Sequence, residues 1–341
     1  MDSFLKLKKY AYVIALFIVY SGWLTYMSVT NSWVLFADWW QMSVTMLFGS
    51  FVAGATPTGG GAVAYPVFTK LLHISSADSR TFGMMIQSFG MTAAAIYIWS
   101  RGTRVLWRVI FYTSIGGFSG ITLASFFLHL PDIYARVLFT TMISIFALAL
   151  LYSVITGRRL AWQQLIYLTG LQKAEFILLG FLGGIIAENT GSGVDLVLFM
   201  TLTLCYRMEE KVSVPTSVIV MALSSIYGFA LHGVIVKDIA NVIPYWLVCI
   251  PVVIVGAPFG AWIVCHCKRW QLVTFVCLLI LADLISTLVF LEFSTRMQEV
   301  IGCFVAVCGV GFSYFLWRGN RRGKQYQDYP AALTLANYQD R

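Results

Sequence analysis

The 341-residue sequence has little charge, since only 11% of its side chains are Asp, Glu, Lys or Arg. Soluble domains carry about a quarter charged residues, so a soluble enzyme, a disordered chain and a nucleic-acid-binding protein are all excluded. The chain is instead 59% hydrophobic, with a mean hydropathy of +0.79. This is the composition of a membrane protein, and no stretch is suited to a separate soluble domain.

Cysteine and histidine offer neither a disulfide framework nor a metal site. The seven cysteines are odd in number and lie mostly within apolar runs, which favours buried thiols. Cys265-His266-Cys267 is one short cluster without a second ligand pair, so we expect a helix end there and no bound metal. No other motif indicates a cofactor.

Apolar runs of about twenty residues recur along the chain, and each is long enough to cross a bilayer as a helix. We predict eight full spans, at residues 10–29, 81–99, 105–128, 133–156, 212–232, 240–265, 271–291 and 297–317. Residues 1–341 are therefore expected to form one all-α polytopic membrane domain, which ends in a cytoplasmic tail at 318–341.

Two further apolar segments, residues 42–72 and 174–206, are interrupted in the middle. The interruptions read Thr56-Pro57-Thr58-Gly59-Gly60-Gly61 and Glu188-Asn189-Thr190-Gly191-Ser192-Gly193. Each flanking piece is expected to be about a dozen residues, or roughly 18–20 Å of helix, which reaches only the middle of the bilayer. The segments are either broken helices that cross once or re-entrant hairpins that return to the same side.

The basic residues favour hairpins. When both segments are re-entrant, 18 of the 23 Lys and Arg residues fall in loops and ends on one side of the membrane. Cytoplasmic loops carry such an excess. The prediction is that both termini are cytoplasmic and that the hairpins enter from opposite faces.

An internal repeat supports this topology. A shift of 132 residues aligns Thr58, Gly59 and Gly61 with Thr190, Gly191 and Gly193. Glycines also lie at matching places in a later span of each half, at 116–120 and at 256–260. We predict two inverted repeats, residues 42–156 and 174–291, each a Gly-rich hairpin plus three spans. One extra span lies at each end, at 1–30 and 297–317. Paired Gly-interrupted segments in inverted halves are typical of a transporter's binding site.

The two hairpin tips are the candidate substrate site. Glycines let a small oxyanion approach the backbone, and hydroxyl and amide groups supply neutral hydrogen-bond donors. The candidate residues are Thr56, Thr58, Gly59, Gly60, Gly61, Gln87, Asn189, Thr190, Gly191, Ser192 and Gly193. For Gln87, a simple contact between helices is an equal alternative. The neighbouring glycines are expected to serve close helix crossing instead; they are Gly49, Gly54, Gly183 and Gly184.

Two acids, Glu188 and Asp195, flank the second tip. Carboxylates at membrane depth are costly and mark functional sites, so both are candidates for proton coupling or for neutralising a cationic group on the substrate. Asp195 has a second interpretation, as a first-turn acid that stabilises its own helix N-terminus.

The pattern Gly49-x4-Gly54-x3-Thr58-Gly59-Gly60-Gly61-x4-Pro66, with Gly191-x-Gly193 in the second half, resembles the duplicated signature of the TauE/SafE sulfite exporter family over residues 40–317. The second tip departs from it at Ser192 and Leu198. The resemblance implies a secondary transporter, not an enzyme, for sulfite, sulfonates or related sulfur-containing anions in the bacterial cytoplasmic membrane. Expected partners are the anion and the lipid bilayer, with protons and a second copy of the chain as further candidates and no nucleic acid.

Two alternatives remain open from the sequence. An anion channel would have the same composition and repeats. An intramembrane serine protease would use Ser119 of Gly117-Phe118-Ser119-Gly120, with His232 or His129 as its base.

Overall fold

A computed structural model describes residues 2–56, 60, 67–68, 72–128, 130–155, 168–266, 269–290 and 295–327. The described chain is helical and holds no strand, so the all-α class is confirmed. Its α-helices are α1 (Asp2–Val29), α2 (Leu35–Ala55), α3 (Ser76–Ser100), α4 (Trp107–Phe127), α5 (Asp132–Ile155), α6 (Gly170–Thr190), α7 (Val194–Met200), α8 (Glu210–Leu231), α9 (Ile243–His266), α10 (Arg269–Phe290) and α11 (Thr295–Gln327). Thr58, Gly59 and Gly61 lie outside the described residues.

Seven helices of the described chain are long and apolar enough to cross a membrane, which confirms a multi-pass membrane protein. Six of them coincide with predicted full spans. The other two predicted spans, 133–156 and 271–291, form the helices α5 and α10, which are not among these seven, so their crossing of the membrane stays a prediction. The seventh is α6, which we expected to be the short first limb of a hairpin.

The expected length of the first hairpin limbs was wrong. Both α2 and α6 have 21 residues, about 31 Å of helix, rather than a dozen. In α6, a capping box between Thr169 and Gln172 starts the helix before the apolar run begins. In α2, a non-helical residue at Trp39 kinks the helix and joins an extra turn to its start.

The helical segment after the second interruption has the length expected for a hairpin limb. The α7 helix continues directly into a π-helical turn, Thr201–Cys205, so the limb covers 194–205. It then reaches α8, which packs against it.

Glycines allow α2 to cross α9, and α4 to cross α6, at very short distances. A Cβ atom added at Gly54 would lie 1.9 Å from the Ala257 carbonyl oxygen, and one at Gly184 would lie 2.4 Å from the Gly117 carbonyl oxygen. At Gly183 it would lie 2.8 Å from the Val194 Cα atom. These glycines therefore serve close packing, as expected.

The helices α3 and α8 pack against each other between these two crossings. Gln87 of α3 accepts a hydrogen bond of 3.2 Å from the Ser225 hydroxyl of α8. A Cβ atom added at Gly83 of α3 would lie 3.6 Å from the Gly191 Cα atom. The turn after α6 therefore packs directly against α3.

Candidate functional site

One cavity has walls from both interrupted segments. Gly60 comes from the first interruption, and Thr190 and Gly191 come from the second. Gln87 and Ser79 of α3 complete its polar wall, and side chains of α2 and α9 make the apolar wall. Its volume is about 30 Å³, enough for a water molecule or two, since about 10–15 Å³ suffices for one. We call it the tip cavity.

The tip cavity contains polar groups that are ready for a ligand. Ser79 is buried, and its hydroxyl oxygen has no hydrogen-bond partner among the described residues. The Gln87 carbonyl oxygen accepts from Ser225, which fixes the side-chain amide in place. Since buried polar groups are normally paired, the Ser79 hydroxyl is available to bond a water or a ligand in this cavity.

The turn after α6 uses most of its polar groups for its own structure. Gly191 has φ +81°, and its N–H donates to the Ala187 carbonyl oxygen at 2.7 Å. The Thr190 hydroxyl lies 2.9 Å from the Ile186 carbonyl oxygen and 2.6 Å from that of Ser192. The turn therefore shapes the cavity wall with its backbone and offers few free donors.

Asp195 occupies the start of α7. Its Oδ1 atom accepts from the Gly193 N–H at 3.1 Å and from the Ser192 hydroxyl at 3.3 Å. This geometry agrees with a first-turn acid that stabilises its own helix N-terminus. The Gly193 N–H that we expected to meet an anion already meets a carboxylate.

A second, smaller cavity lies on the other side of the same turn. Its volume is about 10 Å³, and Ser192, Gly193, Asp195 and Ser224 line it. The second carboxylate oxygen of Asp195, Oδ2, and the Ser224 hydroxyl have no hydrogen-bond partner within the described chain. Gln87 of α3 and Gly191 of the turn after α6 line both cavities, so the two cavities are neighbours on either side of these residues.

Two of the candidate residues bond elsewhere. The Asn189 side chain accepts from the Leu130 N–H at 2.7 Å and donates to the carbonyl oxygens of Leu128 and Ile185. It thus ties the end of α6 to the loop after α4. The Thr56 hydroxyl donates to the Val52 carbonyl oxygen of its own helix at 2.9 Å. Neither residue lines the tip cavity.

Glu188 belongs to a buried chain of three side chains. Its carboxylate oxygens lie 3.1 Å and 3.3 Å from Nε2 of His232. The other ring nitrogen, Nδ1, lies 2.9 Å and 3.0 Å from the two carboxylate oxygens of Asp238. Because His232 directly follows the last residue of α8, Glu188 lies level with the end of that helix rather than with its middle.

The geometry gives no support to a protease. Both ring nitrogens of His232 face carboxylates, and the Ser119 hydroxyl bonds to the carbonyl oxygens of Ile115 and Gly116 in its own helix. His129, the other histidine considered, lies outside the described residues.

The sequence reasoning missed Ser79, Asp238 and the place of His232 beside Glu188. Ser79 could have been noticed as a small polar residue one turn into α3, on the same helix as Gln87. The spacing of His232 and Asp238, at the end of an apolar span, was a visible signal. The contact between residues 188 and 232 had no sequence signal.

Comparison with known proteins assigns the family. A family model described as Sulfite exporter TauE/SafE matches residues 42–287, which is more than half of the chain. Neither a curated protein nor a solved structure matches the chain. Proteins of the matched family are membrane transporters rather than enzymes. With its Gly-rich tips, its apolar helices and this match, the chain belongs to the TauE/SafE family of sulfite exporters.

Proposed function

We propose that this protein transports sulfite, sulfonates or related small sulfur-containing anions, and that it binds them at the tip cavity, whose walls must move apart because about 30 Å³ holds only a water molecule or two. The observation that carries the proposal is that Gly60 and Gly191, one from each interrupted segment, line the same cavity. Sites between two interrupted helices are where secondary transporters bind their substrates.

Neutral donors would hold the anion. The Ser79 hydroxyl is unpaired among the described residues, and the Gln87 carbonyl is already bonded to Ser225, which leaves the Gln87 amide hydrogens for a ligand. The described lining includes no Lys or Arg. Each such hydrogen bond contributes about 0.5–1.5 kcal/mol, so the site would bind weakly enough to release its substrate.

The packing supports the proposed inverted repeat. In one crossing, α2 of the first half packs on α9 of the second, and in the other, α6 of the second half packs on α4 of the first. Each crossing uses glycines that lie at matching places in the corresponding spans of the two halves, at 116–120 and at 256–260. The proposed topology places both termini on the cytoplasmic side of a bacterial inner membrane and the 233–239 loop on the outer side.

Proton coupling through Glu188 and Asp195 is part of the proposal. Glu188 lies three residues before Gly191, and Asp195 lines the cavity on the other side of the same turn. Protonation of either acid removes a negative charge close to the anion. A proton would therefore favour anion binding.

A thermal-shift panel on the purified protein tests the binding site, with sulfite, thiosulfate, sulfate, sulfoacetate and taurine as ligands. Ser79→Ala and Gln87→Ala should each weaken anion binding by about 0.5–1.5 kcal/mol. Ser119→Ala is the matched control, because Ser119 bonds only within its own helix, and it should bind as the wild type does. Wild-type binding by both Ser79→Ala and Gln87→Ala would move the site elsewhere.

A carrier is favoured over a channel because paired interrupted segments in inverted halves are typical of secondary transporters. In proteoliposomes, a carrier should exchange internal unlabelled sulfite for external labelled sulfite, with a flux that saturates. A flux that rises linearly with sulfite concentration would indicate a channel.

A further inference from the structure

His232 bridges two carboxylates that differ sharply in exposure to solvent. The Asp238 side chain is 41% exposed, whereas His232 is 4% exposed and Glu188 is 1% exposed. The three groups therefore lead from the protein surface into its interior in two steps, of 2.9 Å at Nδ1 and 3.1 Å at Nε2. Both distances are those of ordinary hydrogen bonds.

The local backbone builds this arrangement. The α8 helix ends in a π-helical turn, His232–Val236, and Lys237 adopts a left-handed conformation with φ +61°. The Lys237 N–H donates to the His232 carbonyl oxygen at 2.7 Å, which closes the turn. Asp238 thereby comes back to the ring of His232. Single π turns within helices are frequent at functional sites.

The charged groups that act on this ring are Glu188, from α6, and Asp238, from the loop after α8. The α3 helix brings Arg80 to the turn after α6. Its carbonyl oxygen lies 3.3 Å from the position that a Cβ atom added at Gly191 would take. The His232 ring thus lies between two acids, Asp238 at the surface and Glu188 just before the turn after α6.

We propose that Asp238, His232 and Glu188 form a proton relay between the outer solvent and the carboxylate beside the tip cavity. This inference rests on the proposed transport function and names the path by which protons reach its site. A proton taken up by Asp238 passes to Nδ1 of a ring that already carries hydrogen on Nε2, which gives the imidazolium. The Nε2 proton then passes to Glu188, and rotation of the neutral ring exchanges its two nitrogens for the next transfer.

The relay couples to transport through charge. Glu188 lines neither cavity, so it acts on the anion across the Asn189-Thr190-Gly191 turn and not by direct contact. An ionised Glu188 repels an anion at Gly191, and a protonated one does not. Proton arrival through His232 therefore raises affinity for the anion, and proton loss along the same path lowers it.

The test uses the full chain in proteoliposomes with radiolabelled sulfite, and protein-free vesicles measure the leak. Exchange of sulfite at equal pH reports binding and carriage, while uptake driven by an imposed pH gradient reports proton coupling. The variants are His232→Gln, which keeps hydrogen-bonding groups but cannot take up or release a proton, and Asp238→Asn at the surface. His266→Gln is the control, since that exposed ring bonds to the Trp262 carbonyl oxygen at the far end of α9.

We expect His232→Gln and Asp238→Asn to keep sulfite exchange. Their pH-driven uptake should fall at least about tenfold, because a positioned proton-transfer group typically contributes a larger factor in rate. His266→Gln should resemble the wild type. Wild-type pH-driven uptake in His232→Gln overturns the relay and leaves the proposed function intact. If His232→Gln also loses exchange, the test is read from Asp238→Asn instead. Wild-type pH-driven uptake in that variant then overturns the relay. Absence of saturable exchange in the wild type overturns the proposed function and the relay with it.

Discussion

Replacing Gly116 with Ala tests how closely the helix α6 must lie against α4. A Cβ atom at this position would be 1.9 Å from the Ile177 carbonyl oxygen, whereas ordinary Cβ contacts begin near 3.4 Å. The atom that blocks it belongs to the backbone of α6 and has no rotamer to change. The two helices must therefore separate by roughly 1.5 Å at this point.

The energetic cost follows from that separation. Forcing an extra methyl group into a packed contact costs about 1–3 kcal/mol. Ala is a better helix former than Gly by up to about 1 kcal/mol, which offsets part of the cost. The expected net loss of stability is about 1–2 kcal/mol. Because α6 carries Glu188, Thr190 and Gly191, its displacement also moves the cavity wall, and a misplacement of about 1 Å in a positioned site can cost ~100-fold in rate.

Thermal unfolding in detergent and sulfite exchange in proteoliposomes measure both effects. Gly309→Ala is the matched control, since it adds the same methyl group on α11, where nothing lies within 4 Å of the new atom. We expect Gly116→Ala to unfold at a lower temperature and to lose most of its exchange rate, and Gly309→Ala to do neither. Equal melting temperatures and equal exchange for the two variants would refute the close crossing of α4 and α6.

Three further changes have defined outcomes. Glu188→Gln mimics the protonated acid, so it should keep sulfite binding while transport across pH 5.5–8 becomes flat; unchanged pH dependence would make Glu188 structural. Gly191→Ala forces a side chain into φ +81°, and it should cost about 1–2 kcal/mol of stability in thermal unfolding; an unchanged midpoint would contradict that turn geometry. Arg318→Gln removes the 2.9 Å bond from Nη2 to Glu175 between α11 and α6. It should lower stability by about 1 kcal/mol, and wild-type unfolding would show that this ion pair contributes nothing.

The positions of the spans could be predicted because a bilayer imposes a length of apolar sequence on every helix that crosses it. The lengths of the hairpin limbs could not, because the causes are local and polar. Thr169 and Gln172 start α6 ahead of its apolar run, and the kink at Trp39 adds a turn to α2. Hydropathy does not register a capping box or a kink.

The candidate site was predictable mainly where the chain itself is broken, with Gln87 of α3 as the one predicted lining residue outside the interruptions. Glycines at 60 and 191 mark turns that must lie inside protein, and both line the tip cavity. The partner of Glu188 is a different case, since a contact between residues 188 and 232 depends on how α6 meets α8. No spacing in the sequence encodes that distance.

The two acids at the second tip have different surroundings, and this bears on where specificity lies. Asp195 accepts from the Gly193 N–H, so part of the backbone at the tip is already neutralised from within the chain. In the proposed site, an incoming anion would therefore depend more on the α3 side chains Ser79 and Gln87 than on the glycines that first identified the site. The glycines would set the close approach of the walls, while α3 would supply the hydrogen bonds. It follows that substitutions on α3 should change which sulfur anion binds, and that substitutions at the tip glycines should reduce binding of all of them alike.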